Sequence, residues 1–179
     1  MLGYIIELVT DQTYADYMEQ HIFQPLGMFD TGLYWKSAVI ERRARGYERD
    51  SDNNLVHGPI PEPSITYSAG GLVSSVEDMA RWNNALFRNE FLSADSLEMM
   101  LTPYGELPPF GLTGLGTFVS ESPEYGVRYA NGGGIRGAFT SSTVYYPDGD
   151  ISVVVLSNFM DFGLTVEVAG KLVELAHSR

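Results

Sequence analysis

Residues 126–158, GVRYANGGGIRGAFTSSTVYYPDGDISVVVLSN, decide the fold. They read as a short strand, a glycine-rich turn, a long strand, a tight hairpin and a nearly all-apolar strand. Over residues 138–146, Phe139, Ser141, Thr143 and Tyr145 fall on one face, and Thr140, Ser142, Val144 and Tyr146 on the other. A period of two, rich in β-branched and aromatic residues, is the strand signal. Pro147-Asp148-Gly149-Asp150 supplies hairpin chemistry, because proline presets one φ angle and glycine accepts a positive one. Ile151, Val153, Val154, Val155 and Leu156 then form the apolar run of a strand covered on both faces. The expected core is a sheet packed on both sides. A loop carrying Gly132, Gly133, Gly134 and Gly137 at the mouth of its longest strand is the expected place for a site.

Composition sets the outer limits. A chain of 179 residues makes one ordinary domain, burying roughly 70% of its unfolded surface. Hydrophobic content of 44% against 19% charged residues selects a globular protein over a disordered one. A net charge of -12 argues against nucleic acid or an anionic membrane as partner, since both need clustered Lys and Arg. There is no cysteine, hence no disulfide frame and no thiolate metal site. No run approaches the ~18 apolar residues of a membrane span, and the N-terminus lacks the basic flank of a signal peptide. A soluble chain without a membrane span is expected.

Leu2, Ile5, Ile6 and Val9 fall at i, i+3, i+4 and i+7, one apolar helical face. That helix starts with no Ser, Thr, Asp or Asn before it, which suggests the latter part of something longer. Thr13 can cap a second helix with Tyr14, Tyr17, Met18 and Ile22 on its face, ended by Pro25 and Gly27. His21, with no second ligand nearby, reads as a packing or surface residue. From Phe29 to Ser68 periodicity fades into a long connection, with one short helix near 37–43. Arg42, Arg43 and Arg45 read as a solvated face. Ser74-x-x-Glu77 is a capping box for a helix with Val76, Met79, Ala80, Leu86 and Phe87 inward. Ser93 caps another, with Leu97, Met100 and Leu101, before a glycine-dotted strand near 112–120. Asp161 caps a last helix with Leu164, Val168, Leu172 and Leu175 at helical spacing. About four antiparallel strands and separate runs of helices make the class α+β.

Motif searching returns mostly negatives. Gly132-x-Gly134-x-x-Gly137 spells the dinucleotide fingerprint, but that fingerprint must open a helix and this one opens a strand. Asp148 and Asp150 lack the rest of a calcium loop and belong to the hairpin. There is no G-x-S-x-G, no H-E-x-x-H and no Ser-x-x-Lys, because Leu33 and Val168 stand three before Lys36 and Lys171. No metal or cofactor is implied.

Four segments nevertheless resemble, in order, the latter half of the serine β-lactamase and penicillin-binding-protein superfamily, in its class C and esterase-like branch. They are LGYIIELVTDQTYADYMEQHIFQPLGM, YSAGGLVSSVEDMARW, YANGGGIRGAF and YYPDGDISVVVLSN. The resemblance runs through essentially all of the chain apart from the 29–66 and 102–125 connections. The resemblance implies an antiparallel sheet flanked by helices plus a helical cluster, incomplete at the N-terminus. Residues 1–179 would be the C-terminal portion of one β-lactamase-like domain.

In that family a serine attacks an acyl carbonyl, lysine and tyrosine move its proton, and backbone N–H groups hold the oxyanion. The Ser-x-x-Lys and Tyr-x-Asn motifs that supply those side chains are absent here, so no catalytic residue is assigned. Tyr129-Ala130-Asn131 spells the second motif at the wrong place and aligns with the third, normally Lys-Thr-Gly or His-x-Gly. By position Asn131 stands for Lys or His, Gly132 and Gly133 follow, and Gly134 matches the residue whose N–H completes the oxyanion hole. Asn131 cannot carry the cation's charge, and Arg136 is the candidate to supply it to a substrate carboxylate. Tyr67, Ser68, Gly70 and Gly71 resemble a stretch that lines the site.

Two readings stay open. One is a fragment of a serine hydrolase acting on β-lactams, D-Ala peptides or small esters, inactive alone. The other is a noncatalytic module binding a peptide or ligand in the same groove. Either way a missing N-terminal half should bare an apolar surface and a strand edge, giving self-association or dependence on a complementary chain. The compartment is unassigned: the resemblance suggests a periplasmic or extracellular setting.

Overall fold

The computed structural model describes residues 1–34, 39–59, 62–88, 91–108 and 111–178. The chain begins with α1 (Leu2–Thr10), α2 (Tyr14–Met18) and a π-helical turn, Glu19–Phe23. Then come β1 (Gly32–Leu33), β2 (Tyr47–Arg49), β3 (Leu55–His57), α3 (Pro63–Thr66) and a 3-10 turn, Tyr67–Ala69. β4 (Leu72–Val73), α4 (Val76–Phe87) and α5 (Ala94–Leu101) lead into the sheet strands. These are β5 (Gly105–Leu107), β6 (Gly111–Thr113), β7 (Phe118–Ser122), β8 (Gly126–Ile135), β9 (Phe139–Tyr146) and β10 (Ile151–Ser157). The helix α6 (Phe162–His177) follows. The architecture is α+β, as the separate runs of helices and strands imply.

The main sheet has the order β10-β9-β8-β7-β6-β5, antiparallel throughout. It holds six strands rather than about four, because the stretch before Ser122 splits at its glycines into three short ones. The two faces of β9 divide as alternation requires. Val144 and Tyr146 join Val153, Ala169 and Val173 in the buried cluster under α6, with Ala130, Ile151 and Val155 against it. On the opposite face Phe87 of α4 stacks flat on Tyr145 at 4.4 Å and on Tyr129 at 5.8 Å. Asn83 of α4 donates to Ser152 on the same face. β10 is thus covered on both sides by helices.

The glycine run is a strand, not a turn or loop. β8 continues in unbroken register with β9 from Tyr129↔Tyr145 to Ile135↔Phe139, and the reversal is made by Arg136-Gly137-Ala138. Small size explains the glycines better than turn chemistry does. A Cβ on Gly132 would stand 2.8 Å from the Ser141 carbonyl oxygen, and one on Gly134 would stand 2.7 Å from Cζ of Phe162.

Two apolar helical faces are real but point the other way. In α1, Leu2, Ile5 and Val9 are exposed, and the docked side carries Gly3 and Glu7. In α6, Thr165, Ala169 and Val173 are buried, while Leu164, Val168, Leu172 and Leu175 lie outside. Small residues let the helix approach the sheet closely, so the leucine stripe is left outward. Thr13, Ser93 and Asp161 cap α2, α5 and α6 as expected. The cap of α4 is Ser75, not Ser74, and Val76 is exposed. Ser74 instead shares a hydrogen bond with Thr31. Asp78 of α4, only 1% exposed, accepts from the Asp30 N–H and the Thr31 hydroxyl and pairs with Arg81. That carboxylate ties α4 to the segment before β1. Within 29–66 there are short strands, β1 pairing with β4 and β2 with β3. Of the helix expected over 37–43, residues 37 and 38 lie outside the described residues; Ile40–Arg43 form a turn.

The close approach of α6 to β8 gives a test. Gly134→Ala should destabilise the chain by about 1–3 kcal/mol in urea unfolding, since the methyl must displace the Phe162 ring. Adding Phe162→Ala should recover most of that loss; strictly additive effects in the double mutant would refute the contact.

Candidate functional site

β7 pairs with β8 only from Gly126 to Ala130. Beyond that point β9 continues alongside β8, so Asn131–Ile135 have a strand partner on one side only. The Gly132 N–H donates to Oδ1 of Asn131 at 2.7 Å and therefore points to the free side. Peptide directions alternate along an antiparallel ladder, so the Gly134 N–H faces the same way. The Asn131 carbonyl points back to β9, where the Thr143 hydroxyl donates to it at 3.3 Å. The sheet thus presents half a strand with no strand partner on its outward side, where Gly132 and Gly134 turn their N–H groups and, among the described residues, only that of Gly132 is taken up within the chain. Such an edge can accept another extended backbone, or offer an N–H to a carbonyl oxygen.

Asn131 is not idle on this edge. Its Nδ2 donates to the Gly116 carbonyl in the β6–β7 turn at 2.7 Å, while its Oδ1 holds the Gly132 N–H. The amide therefore latches the edge to the neighbouring turn. Arg136 is exposed in the reversal after β8 and has no ion-pair partner among the described residues.

Tyr67, Ser68, Gly70 and Gly71 lie in the helical layer. Tyr67 takes a left-handed φ of 36°, a conformation bulky residues rarely adopt. Its hydroxyl donates to Oε1 of Glu7 at 2.6 Å, its ring meets Tyr14 edge-on at 5.3 Å, and the Gly71 N–H closes onto its carbonyl at 2.8 Å. The Gly3 N–H donates to Oγ of Ser68 at 3.2 Å. Helix α1 thus clamps this turn through Glu7 and Gly3. The structure brings Asn131 to Arg136 together on one strand and its turn. It ties Tyr67 and Ser68 to α1 and α2, and no described hydrogen bond or ring contact joins the two groups.

A feature outside the sequence-predicted site residues borders the β8–β9 turn and the start of β9. A cavity of about 260 Å³ is lined by Arg43, Ala44, Arg45, Gly46, Gly58, Pro59 and Phe139. The arginines read as a solvated face are so only in part. Arg42 is open and stands 3.8 Å from Asp30, while Arg43 lies over the Tyr34 ring. The paired glycines Gly46 and Gly58, just outside β2 and β3, were the available signal. Among the described residues no group of three His, Asp or Glu could hold a metal, and no helix is long and apolar enough to cross a membrane.

Burial, and then the Glu7 carboxylate, push the Tyr67 phenol up to about 12, while the Tyr67 and Tyr14 hydrogen bonds hold Glu7 below its usual 4.5. Tyr67 then stabilises the fold fully below pH 10.0 and loses that contribution as pH rises toward 12. Glu7 contributes above 4.5 and fades as pH falls through its lowered value. Following phenolate absorbance, Glu7→Gln should lower the titration midpoint of Tyr67 while leaving it above 10.0, because burial remains. An unchanged midpoint would mean that Glu7 does not act on this phenol.

The family model described as beta-lactamase matches residues 1–177. A putative penicillin-binding protein, PbpX, of Bacillus subtilis (strain 168) is 30% identical over 175 residues, covering 98% of this chain and 42% of that protein. The octameric penicillin-binding protein homologue from Pyrococcus abyssi superposes with a TM-score of 0.88 at 28% identity, over 99% of this chain and 41% of that one. The D-amino acid amidase from Ochrobactrum anthropi SV3, complexed with D-phenylalanine, gives 0.81 at 25% identity, over 99% and 56%. The chain spans less than half the length of the Bacillus subtilis relative.

Proposed function

The chain belongs to the β-lactamase family, and we propose that residues 1–179 are the C-terminal portion of one β-lactamase-like serine hydrolase domain. In this reading they form the oxyanion wall of an acyl-transfer site. The observation that carries this is the half-paired strand β8, with the Gly134 N–H on its free side. A carbonyl oxygen laid against that edge would gain a hydrogen bond as negative charge develops on it, and the glycines let the substrate approach the backbone closely. The attacking hydroxyl and its base come from a Ser-x-x-Lys, which these residues do not contain, and from a Tyr-x-Asn other than Tyr129-Ala130-Asn131, which stands at the place of the third motif. The chain alone is therefore inactive. The substrate class is an acyl compound: a β-lactam, a D-Ala peptide or a small ester. Arg136, exposed and without an ion-pair partner beside the edge, meets a carboxylate of that substrate. Tyr67, Ser68, Gly70 and Gly71 line rather than react.

One observation favours a binding role without chemistry. Asn131 stands where the family has a cation, and both ends of its amide are engaged within the chain.

The decisive experiment is covalent labelling with a fluorescent penicillin. Residues 1–179 alone should take no label. Adding a matching N-terminal half that carries Ser-x-x-Lys should restore labelling on that half, and Arg136→Ala should then slow turnover of an acidic substrate. A stoichiometric adduct on a serine of this chain would overturn the assignment. Absence of labelling after reconstitution would favour the binding module.

The outward apolar stripes of α1 and α6 bear on partners. Such faces recruit a complementary chain or a second copy. In sedimentation equilibrium the isolated chain should associate in a concentration-dependent way. A monodisperse monomer with a cooperative melt would contradict this.

A further inference from the structure

Acidic residues outnumber Lys and Arg in this chain by 23 to 11, so a basic side chain that avoids every carboxylate needs a reason. Arg42, Arg81, Arg88 and Lys171 pair with Asp30, Asp78, Asp150 and Glu167. Arg43, Arg45, Arg49, Arg128 and Arg136 have no carboxylate partner among the described residues. Three of these five sit around the β8–β9 turn. Arg43 and Arg45 line the cavity and Arg136 is in the turn itself.

The cavity is fixed against that turn by backbone packing. A Cβ on Gly58 would stand 1.6 Å from the Gly137 carbonyl oxygen, and one on Gly46 would stand 2.7 Å from Cβ of Ala138. The Gly58 N–H donates to the Gly46 carbonyl at 2.9 Å, closing the base of the β2–β3 hairpin. The Tyr47 N–H donates to the Asn158 carbonyl, and Nδ2 of Asn158 donates to the Arg45 carbonyl. The hairpin base is therefore a rigid wall, and Phe139 closes the cavity from the first residue of β9. Arg43 is held by the face of Tyr34, its Cζ 4.1 Å from the ring centroid. Tyr34 is 5% exposed, and among the described residues no carboxylate pairs with the Arg43 guanidinium. The carboxylate of Glu48 lies against the β8–β9 turn, 2.6 Å from the point where a Cβ on Gly137 would be.

We propose that the cavity between the β2–β3 hairpin base and Phe139 is a subsite for a small apolar group bearing a carboxylate, with Arg45 as the principal cation. Apolar walls from Ala44, Pro59 and Phe139 take the body of the group, and the lining arginines, which have no carboxylate partner among the described residues, take its charge. At 260 Å³ it falls below the roughly 300–1,000 Å³ of whole-ligand pockets, so it holds one substituent rather than a complete molecule. Calling that molecule a substrate rests on the acyl-transfer reading of the β8 edge. Binding in the cavity does not.

The test uses residues 1–179 as they stand, with benzoate and benzamide as probes of one shape and two charges, followed by amide chemical shifts. Benzoate should shift Gly46, Gly58 and Phe139 saturably, and bind about tenfold more tightly than benzamide. Arg45→Ala should abolish that preference and Arg45→Lys should retain most of it, while Glu48→Gln should tighten benzoate by about two- to threefold through loss of a like charge. Equal binding of the two probes, no shifts at these residues, or a preference that survives Arg45→Ala would overturn the proposal. If benzoate binds as described but penicillin labelling never returns on reconstitution, the cavity assignment stands and the hydrolase reading falls. If labelling returns and benzoate does not bind, the reverse holds.

Discussion

The molecule depends on one ladder being longer than its neighbour. β9 pairs with β8 to Ile135, whereas β7 stops at Ala130. A sheet edge of this kind normally invites pairing with another chain. Here it is confined to five residues and partly covered by the amide of Asn131, which holds one peptide N–H and reaches across to Gly116. What remains open is short, rich in glycine and backed by a two-sided core. That backing is what makes an exposed edge usable as a binding surface.

The backing has different materials on its two sides. Toward α6 the fit is close, made by Thr165, Ala169 and Val173 against Val144, Tyr146 and Val153. Toward α4 it is aromatic, with Phe87, Tyr129 and Tyr145 in a flat stack. The helical layer is joined through polar contacts instead: Asp78 fastens α4 to the segment before β1, and Glu7 fastens α1 to Tyr67. A buried carboxylate with all its partners specifies geometry more than it adds stability. It is suited to placing one layer relative to another.

Much of the fold was legible because period-two patterning in a buried sheet has only one reading. The assignment of β9 faces and of the caps at Thr13, Ser93 and Asp161 held residue by residue. Helical spacing, by contrast, reports that an apolar stripe exists, not which stripe is buried. In α6 the small residues won the sheet because they allow closer approach, and the leucines went outward. The glycine run misled for a related reason. Glycine is both the residue of turns and the residue of close approach, and only the ladder tells the two apart. The site positions on β8 came from family resemblance, and the structure gives them an edge. The cavity beside them escaped notice because its walls come from segments far apart in the chain, each unremarkable alone.

That separation has a consequence for how the molecule assembles. β8, β9 and β10 are linked by short reversals, so their pairing closes small loops and can form from local contacts. The meeting of Gly58 with Gly137 closes a far longer one, and chain entropy opposes it accordingly. The cavity wall is thus among the least local structures in the protein. It exists only once the rest has come together, and loosening elsewhere will be felt there early.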